Sequence, residues 1–233
     1  MKKTMVRKKL SPRHAIKSGV IKPGVIKQSV IKGLYALTPD TRNTTELLDK
    51  VELALSAGVQ LLQYRNKIAD ANLKVAQAQA LRKLTREYGV TFIVNDDAAL
   101  AVKVEADGVH LGAADGEIST ARAVLGPGKL IGVSCYNQLP LALGAAQAGA
   151  DYVAFGAFFS SSIKPDAAVA TLDLLRVARS KLSIPIVAIG GIQADNGADL
   201  IEAGADALAV ISALFDAADV KSAANNFTKL FGK

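Results

Sequence analysis

The chain has 233 residues, half of them apolar, with 28 basic and 21 acidic residues, a single cysteine, no tryptophan and a formal net charge of +7. So apolar a chain buries enough surface to offset its ordering entropy, which excludes disorder as the dominant state. Cys135 has no second cysteine to pair with, which excludes a disulfide scaffold and fits a reducing, cytoplasmic location; no stretch approaches the ~20 apolar residues of a membrane-spanning helix.

The charge is unevenly placed. Residues 1–33 hold ten Lys or Arg and no acid, so residues 34–233 carry a net charge of −3. The first segment repeats Val-Ile-Lys at a five-residue step, at 20–22, 25–27 and 30–32, which matches neither helix nor strand. It reads as a basic low-complexity extension, expected to be disordered, ahead of one catalytic domain over residues 34–233. The extension has no aromatic residue to stack on bases and no signal-peptide core, so neither a nucleic acid nor a membrane is expected as partner.

From Leu34 onward eight short apolar runs follow one another, at 34–37, 60–65, 91–95, 108–111, 130–134, 152–156, 184–189 and 207–211. Most are apolar throughout, as in parallel strands buried on both faces, and helical patterns such as 44–56, 71–88 and 172–181 lie between them. The joints into the next run also repeat: Ala57-Gly58-Val59, Glu105-Ala106-Asp107-Gly108, Ala148-Gly149-Ala150-Asp151 and Ala203-Gly204-Ala205-Asp206. A glycine past each helix end supplies the left-handed residue that stops the helix. Eight βα units predict an α/β fold of the (β/α)8 barrel type. The alternative, an open doubly wound sheet, lacks the Gly-x-Gly-x-x-Gly turn after an early strand.

In such a barrel the chemistry lies at the C-terminal ends of the strands. After the second run comes Gln63-Tyr64-Arg65-Asn66-Lys67, whose two-residue period sets Gln63, Arg65 and Lys67 on one side. Asn95, Asp96 and Asp97 follow the third run, Asp115 follows the fourth, and Ser134 ends the fifth. Ser160, Ser161, Ser162 and Lys164 follow the sixth, Gly190-Gly191 the seventh, and Ile211-Ser212 close the eighth. Arg65, Lys67 and Lys164 suit phosphate oxygens, the arginine as a fork and the lysines as point charges. Asp96 and Asp115 suit one Mg²⁺, which takes a few carboxylates together with waters and substrate phosphate oxygens. Gly190-Gly191, ahead of a helix expected near Asp195, and Ile211-Ser212 match the phosphate cradle after the last two strands. Taken singly, each residue is also what a solvated loop charge or a tight turn looks like; their gathering at one end is the signal.

His110, between Val109 and Leu111, reads as a buried, hydrogen-bonded barrel histidine, and Cys135 as a small core residue. No zinc-ligand spacing, Gly-x-Ser-x-Gly elbow or Walker loop occurs.

Over about residues 34–230 the chain resembles the thiamin phosphate synthase family. The resemblance rests on Gln63-Tyr64-Arg65-Asn66-Lys67, Phe92-Ile93-Val94-Asn95-Asp96-Asp97, Ala106-Asp107-Gly108-Val109-His110-Leu111-Gly112, Ile131-Gly132-Val133-Ser134 and Pro185-Ile186-Val187-Ala188-Ile189-Gly190-Gly191-Ile192. It implies a transferase that couples 4-amino-5-hydroxymethyl-2-methylpyrimidine diphosphate with a thiazole phosphate or its carboxylated form, giving thiamin phosphate and diphosphate. It implies that the segment from Gln63 through Tyr64, Arg65 and Asn66 to Lys67 binds the pyrimidine diphosphate together with Asn95, with Ser134 near the pyrimidine. Asp96 and Asp115 would hold one Mg²⁺, and Lys164 would contact the diphosphate. The thiazole phosphate would rest on Ser160, Ser161, Ser162, Gly191, Ile211 and Ser212. Catalysis by Arg65, Lys67, Lys164 and Ser134 would be dissociative, diphosphate leaving before the thiazole nitrogen attacks, and the loop 157–169 would close as a lid. One position departs from the family's Thr-x-Thr-Lys: Ser161-Ser162-Ile163-Lys164 puts Ile163 where a hydroxyl is usual, at a cost of roughly 1.5–3 kcal/mol if nothing replaces the hydrogen bond. A thiazole tautomerase of the same barrel family and a noncatalytic anion-binding protein are the alternatives, and the oligomeric state is open.

Overall fold

The computed structural model describes residues 30–112, 115–159 and 169–232. Eight strands, β1 (Gly33–Leu37), β2 (Leu61–Tyr64), β3 (Thr91–Asn95), β4 (Gly108–Leu111), β5 (Leu130–Tyr136), β6 (Tyr152–Phe155), β7 (Ile186–Ile189) and β8 (Ala207–Val210), pair in chain order as a closed barrel. Every pairing is parallel, and β1 closes on β8 with Gly33 opposite Ala207 and Tyr35 opposite Ala209. The (β/α)8 barrel expected from the alternation is the observed fold.

The connecting helices are α1 (Thr44–Ser56), α2 (Ala71–Tyr88), α3 (Ala98–Lys103), α4 (Ile118–Leu125), α5 (Leu139–Gln147), α6 (Leu172–Lys181), α7 (Gly197–Glu202), α8 (Ser212–Phe215) and α9 (Val220–Thr228). Polar side chains fix several starts by accepting from orphan N–H groups: Asn43 from Glu46, Asp70 from Leu73, Asp97 from Leu100, Thr171 from Leu174 and Asp219 from Ser222. Each such cap contributes about 1 kcal/mol. Among the described residues no helix is long and apolar enough to cross a membrane.

Period-two alternation sends the strand side chains into two separate cores. Inside the barrel, Tyr35, Leu37, Leu61, Ile93, Leu130, Tyr152 and Val187 form one buried cluster. Between strands and helices a larger one gathers residues such as Leu34, Val51, Leu62, Leu81, Phe92 and Phe155. Ile31, which the sequence reading assigned to the basic extension, is fully buried in the interior cluster, because an apolar side chain one turn ahead of β1 plugs the bottom of the barrel.

The helix-to-strand joints contain more than the glycines. Asp107 accepts the Phe92 N–H at 2.8 Å and both guanidinium nitrogens of Arg82 at 2.8 and 2.9 Å. Asp151 accepts from Ile131 N at 2.8 Å and from Arg122, and Asp206 accepts from Ile186 N at 2.7 Å and from Arg179 at 2.9 Å. Three times over, an aspartate before an even-numbered strand ties the start of the preceding strand to an arginine on the helix that leads into that preceding strand. At one joint the expected glycine is not the left-handed residue: Glu105 takes φ 54°, while Gly108 already belongs to β4. There a Cβ would sit 2.2 Å from the Leu130 carbonyl oxygen, so the glycine serves close strand approach instead.

Candidate active site

At the C-terminal ends of the strands a cavity of about 560 Å³ opens, and the inward-facing positions of the strands continue into its wall. Gln63, Arg65 and Lys67 all line it, on the side the two-residue period assigns them. Asn95 and Asp96 enter from the end of β3, Asp115 from the loop after β4 and Ser134 from β5. Gly190, Gly191, Ile211 and Ser212 line the opposite wall.

Two expected residues are not in the cavity wall. Tyr64 and Asn66 point the other way along β2, as alternation requires, and become buried beneath α2. The Tyr64 hydroxyl donates to Gln77 Oε1 at 2.9 Å, and Asn66 Nδ2 donates to Gln77 Oε1 and to the Thr41 carbonyl. Asn66 Oδ1 accepts from Ile68 and Ala69 N–H, so these residues shape the loop that carries Lys67. Ser160, Ser161, Ser162, Ile163 and Lys164 lie outside the described residues, as does most of the segment read as a lid. The two ends of that segment are joined by Ala170 N–H donating to the Ala157 carbonyl at 2.7 Å.

The cationic side of the cavity is held by a residue that the sequence reading overlooked. Asp40, three residues past β1, accepts from Arg65 Nη1 with both carboxylate oxygens at 3.2 Å and from the Lys67 N–H at 2.7 Å. The Thr38 hydroxyl, fully buried, accepts from Arg65 N–H and donates to the Arg65 carbonyl at 2.9 and 2.8 Å. The signal was available: Asp40 follows a strand C-terminus, the rule applied to the other seven strands.

Asp96 and Asp115 are neighbours in the cavity wall, near enough for Asp115 to act on the Asp96 carboxyl. Burial and the neighbouring Asp115 push the Asp96 carboxyl up to about 6, against a smaller opposing pull from Lys67 and Arg65. Asp96 occupies the left-handed region at φ 65°, which an aspartate tolerates better than most residues. The Gly112 N–H donates to Asp115 Oδ2 at 2.7 Å and fixes that carboxylate. Asp97, by contrast, is used as the cap of α3. Two close carboxylates need a proton or a cation between them. Among the described residues no group of three or more metal-ligating side chains occurs. A cation here would therefore take its remaining ligands from water and substrate, the habit of Mg²⁺.

The floor of the cavity is a chain of polar groups bonded to one another. Gln63 Nε2 lies 2.8 Å from Tyr35 Oη, which is 2.9 Å from Tyr152 Oη; the latter is 3.1 Å from His110 Nδ1, and His110 Nε2 is 2.9 Å from Ser134 Oγ. Burial holds His110 down at about 4, so the imidazole is neutral at physiological pH. Cys135 is buried and its thiol is pushed up to about 12, leaving no thiolate nucleophile there. At the opposite wall Gly190 and Gly191 both take positive φ, 105° and 64°, and Asn196 Nδ2 donates to the Gly191 carbonyl at 3.3 Å. The following helix starts at Gly197, two residues later than expected.

The family model described as thiamine monophosphate synthase matches residues 34–214. A thiamine-phosphate synthase from Thiobacillus denitrificans is 54% identical over 199 residues, covering 85% of this chain and 94% of that protein. One from Methylobacillus flagellatus is 54% identical over 200 residues, covering 86% and 95%. Among solved structures, thiamine phosphate pyrophosphorylase from Pyrococcus furiosus superposes with a TM-score of 0.79 at 37% identity, over 89% of this chain and 98% of that one. Orotidine 5'-phosphate decarboxylase from Pyrococcus horikoshii, at 17% identity and a TM-score of 0.65, shares the barrel alone. With the cavity, its charge pairs and these likenesses in agreement, the chain belongs to the thiamine monophosphate synthase family.

Proposed function

We propose that this protein is a transferase that couples 4-amino-5-hydroxymethyl-2-methylpyrimidine diphosphate to a thiazole phosphate or its carboxylated form, producing thiamin phosphate and diphosphate. The observation that carries the reading is the meeting, on one wall of a single cavity, of Arg65 and Lys67 with the neighbouring pair Asp96 and Asp115. Such a wall suits a diphosphate that gains negative charge as it departs, since cations placed beforehand stabilise the transition state more than the ground state.

Arg65, oriented by Asp40, and Lys67 bind the diphosphate and offset its charge as the C–O bond to the pyrimidine methylene breaks. Asp96 and Asp115 would hold one Mg²⁺, whose contribution is to neutralise charge on the diphosphate oxygens. The resulting pyrimidine methyl cation is captured by the thiazole nitrogen, so no protein nucleophile is needed. Gln63, Asn95 and Ser134 line the place for the pyrimidine. Gly191, Ile211 and Ser212 line the place for the thiazole phosphate, beside the hydroxyls of Ser160 to Ser162 that the family pattern assigns there. Lys164 completes the cations in the same pattern. The lone, buried cysteine supports a reducing, cytoplasmic setting. A tautomerase would have no use for the diphosphate wall, and an anion-binding protein no use for the paired aspartates.

The test is incubation of the purified protein with both phosphorylated substrates and Mg²⁺, following thiamin phosphate by its fluorescent oxidation product. Product is expected only when both substrates are present, and Lys67→Ala lowers its rate. Conversion of the thiazole phosphate alone, with no coupling, would assign the tautomerase reaction instead.

A further inference from the structure

We propose that Tyr35, Tyr152 and His110 are positioning residues that set the hydrogen-bond polarity of the cavity floor, making Gln63 an acceptor and Ser134 a donor, and so select an aminopyrimidine over an oxopyrimidine. This rests on the pyrimidine diphosphate reading above and adds to it what the substrate ring must present.

The inference follows from counting protons along the buried chain. Gln63 Nε2 donates to Tyr35 Oη at 2.8 Å. Each phenol has one proton, so Tyr35, having accepted, donates to Tyr152 at 2.9 Å, and Tyr152 donates onward to His110 Nδ1 at 3.1 Å. A neutral imidazole that accepts at Nδ1 bears its proton on Nε2, and that proton goes to Ser134 Oγ at 2.9 Å. The serine's own proton is then left for the cavity, and at the far end so is the carbonyl oxygen of the Gln63 amide. An aminopyrimidine offers amino N–H donors and lone-pair ring nitrogens, matching one acceptor and one donor. With the diphosphate anchored at Arg65 and Lys67 fixing the ring's orientation, an oxopyrimidine would set its carbonyl against the Gln63 carbonyl and its ring N–H against the Ser134 proton, two mismatches.

The surroundings keep both phenols protonated, so each has one proton to give. Tyr35, Tyr152 and Gln63 are at most 2% exposed, and burial holds both phenols well above their ordinary pKa. Strand register sets Asn95, His110, Gly132 and Tyr152 side by side on four neighbouring strands. The Tyr152 ring crosses over Gly132, where a Cβ would lie 2.0 Å from its Cζ, so the glycine is what lets the phenol reach His110. The reversed chain, with the Gln63 amide turned over, would satisfy the same groups but present a donor at Gln63 and an acceptor at Ser134. Polarity is therefore a property with two discrete values, and the tautomer of His110 reports which one holds.

The chain has two histidines, His14 and His110, so ¹⁵N-labelled full-length protein with His14→Gln gives a single imidazole in long-range ¹H–¹⁵N correlation. At pH 7 the expected pattern is a neutral ring protonated on Nε2. Tyr152→Phe removes the link, and the ring is then expected to populate both tautomers; Tyr35→Phe, cutting the chain one step earlier, gives the same readout if the first variant does not fold. In parallel, calorimetry with the amino- and oxo-pyrimidine diphosphates measures selectivity without requiring turnover. Wild type is expected to prefer the amino compound by at least a hundredfold, and either variant to lose tenfold or more of that preference, with affinity for the thiazole phosphate unchanged. An Nδ1-protonated or charged ring in the wild type, equal binding or no binding of the two pyrimidines, or unaltered selectivity in a folded variant would overturn the proposal. Absence of thiamin phosphate synthesis with the expected tautomer and selectivity intact would instead count against the coupling reaction alone.

Discussion

Replacing Asp40 probes whether catalysis depends on a preset arginine. Asp40 touches no reacting atom in this account; it accepts Arg65 Nη1 with two oxygens at 3.2 Å and the Lys67 N–H at 2.7 Å. A hydrogen bond of this charge-assisted kind contributes about 1–1.5 kcal/mol when, as here, both groups retain some solvent contact. Asp40→Ala removes both anchors, so about 2–3 kcal/mol of transition-state stabilisation is lost, a fall in kcat of roughly 30- to 150-fold. The released guanidinium keeps its full charge for the diphosphate, so the KM for the pyrimidine diphosphate holds or drops while kcat falls. Asp40→Asn still accepts the Lys67 N–H and is expected to lose about half as much. Steady-state rates of thiamin phosphate formation, with each substrate varied, read these numbers directly. An Asp40→Ala enzyme with wild-type kcat would refute the idea that Arg65 must be held in place.

Arg122→Ala removes one charge-assisted bond to Asp151, itself bonded to the Ile131 N–H, and the bonds to the Lys129 and Gly149 carbonyls, and should cost about 1.5–3 kcal/mol in denaturant unfolding while leaving the KM values unchanged; an unaltered midpoint would mean that the clasp is ornamental. Asp96 keeps its proton up to about pH 6 in the native state but titrates near 3.8 when unfolded, so the native state binds the extra proton between these values. The contribution of Asp96 to stability is therefore present at low pH and declines as pH rises from about 4 to 6. Mg²⁺ should abolish that decline and release a proton on binding at pH 5.5, and calorimetry in buffers of different ionisation enthalpy that finds no proton release would contradict it. A chain beginning at Val30 should retain full turnover and stability, whereas removal through Gly33 loses the buried Ile31 and should lower stability by about 2–3 kcal/mol; equal melting temperatures for the two truncations would place Ile31 outside the folding unit.

The barrel was legible because strands buried on both faces and capped helices leave local marks. Helices at 44–56, 71–88 and 172–181 coincide with α1, α2 and α6, whose starts are set by Asn43, Asp70 and Thr171. The strand ends were less exact: β2 is trimmed to Leu61–Tyr64, and β5 runs on to Tyr136 through an irregular register after Ser134. Gln63, Arg65 and Lys67 could be assigned to the cavity from period two alone. The same period, applied to Tyr64 and Asn66, would have sent them to α2, against the wholesale reading of the motif. Three features rest on distant partners. Asp40 has a legible place after a strand end but meets its partners 25 and 27 residues away, Tyr35 and Tyr152 look like ordinary core aromatics until strand register brings them together 117 residues apart, and the arginines of the clasps lie 25 to 29 residues from their aspartates. Such pairings are set by closure of the barrel, which no window of sequence contains.

The most direct test of the central claim is a single-turnover reaction in which the enzyme, in excess over the pyrimidine diphosphate, is mixed with thiazole phosphate and Mg²⁺, with diphosphate and thiamin phosphate quantified over time. One diphosphate for each thiamin phosphate, both abolished by Asp96→Ala in a folded protein, is the predicted result; diphosphate release without thiamin phosphate, or neither product, would contradict the account.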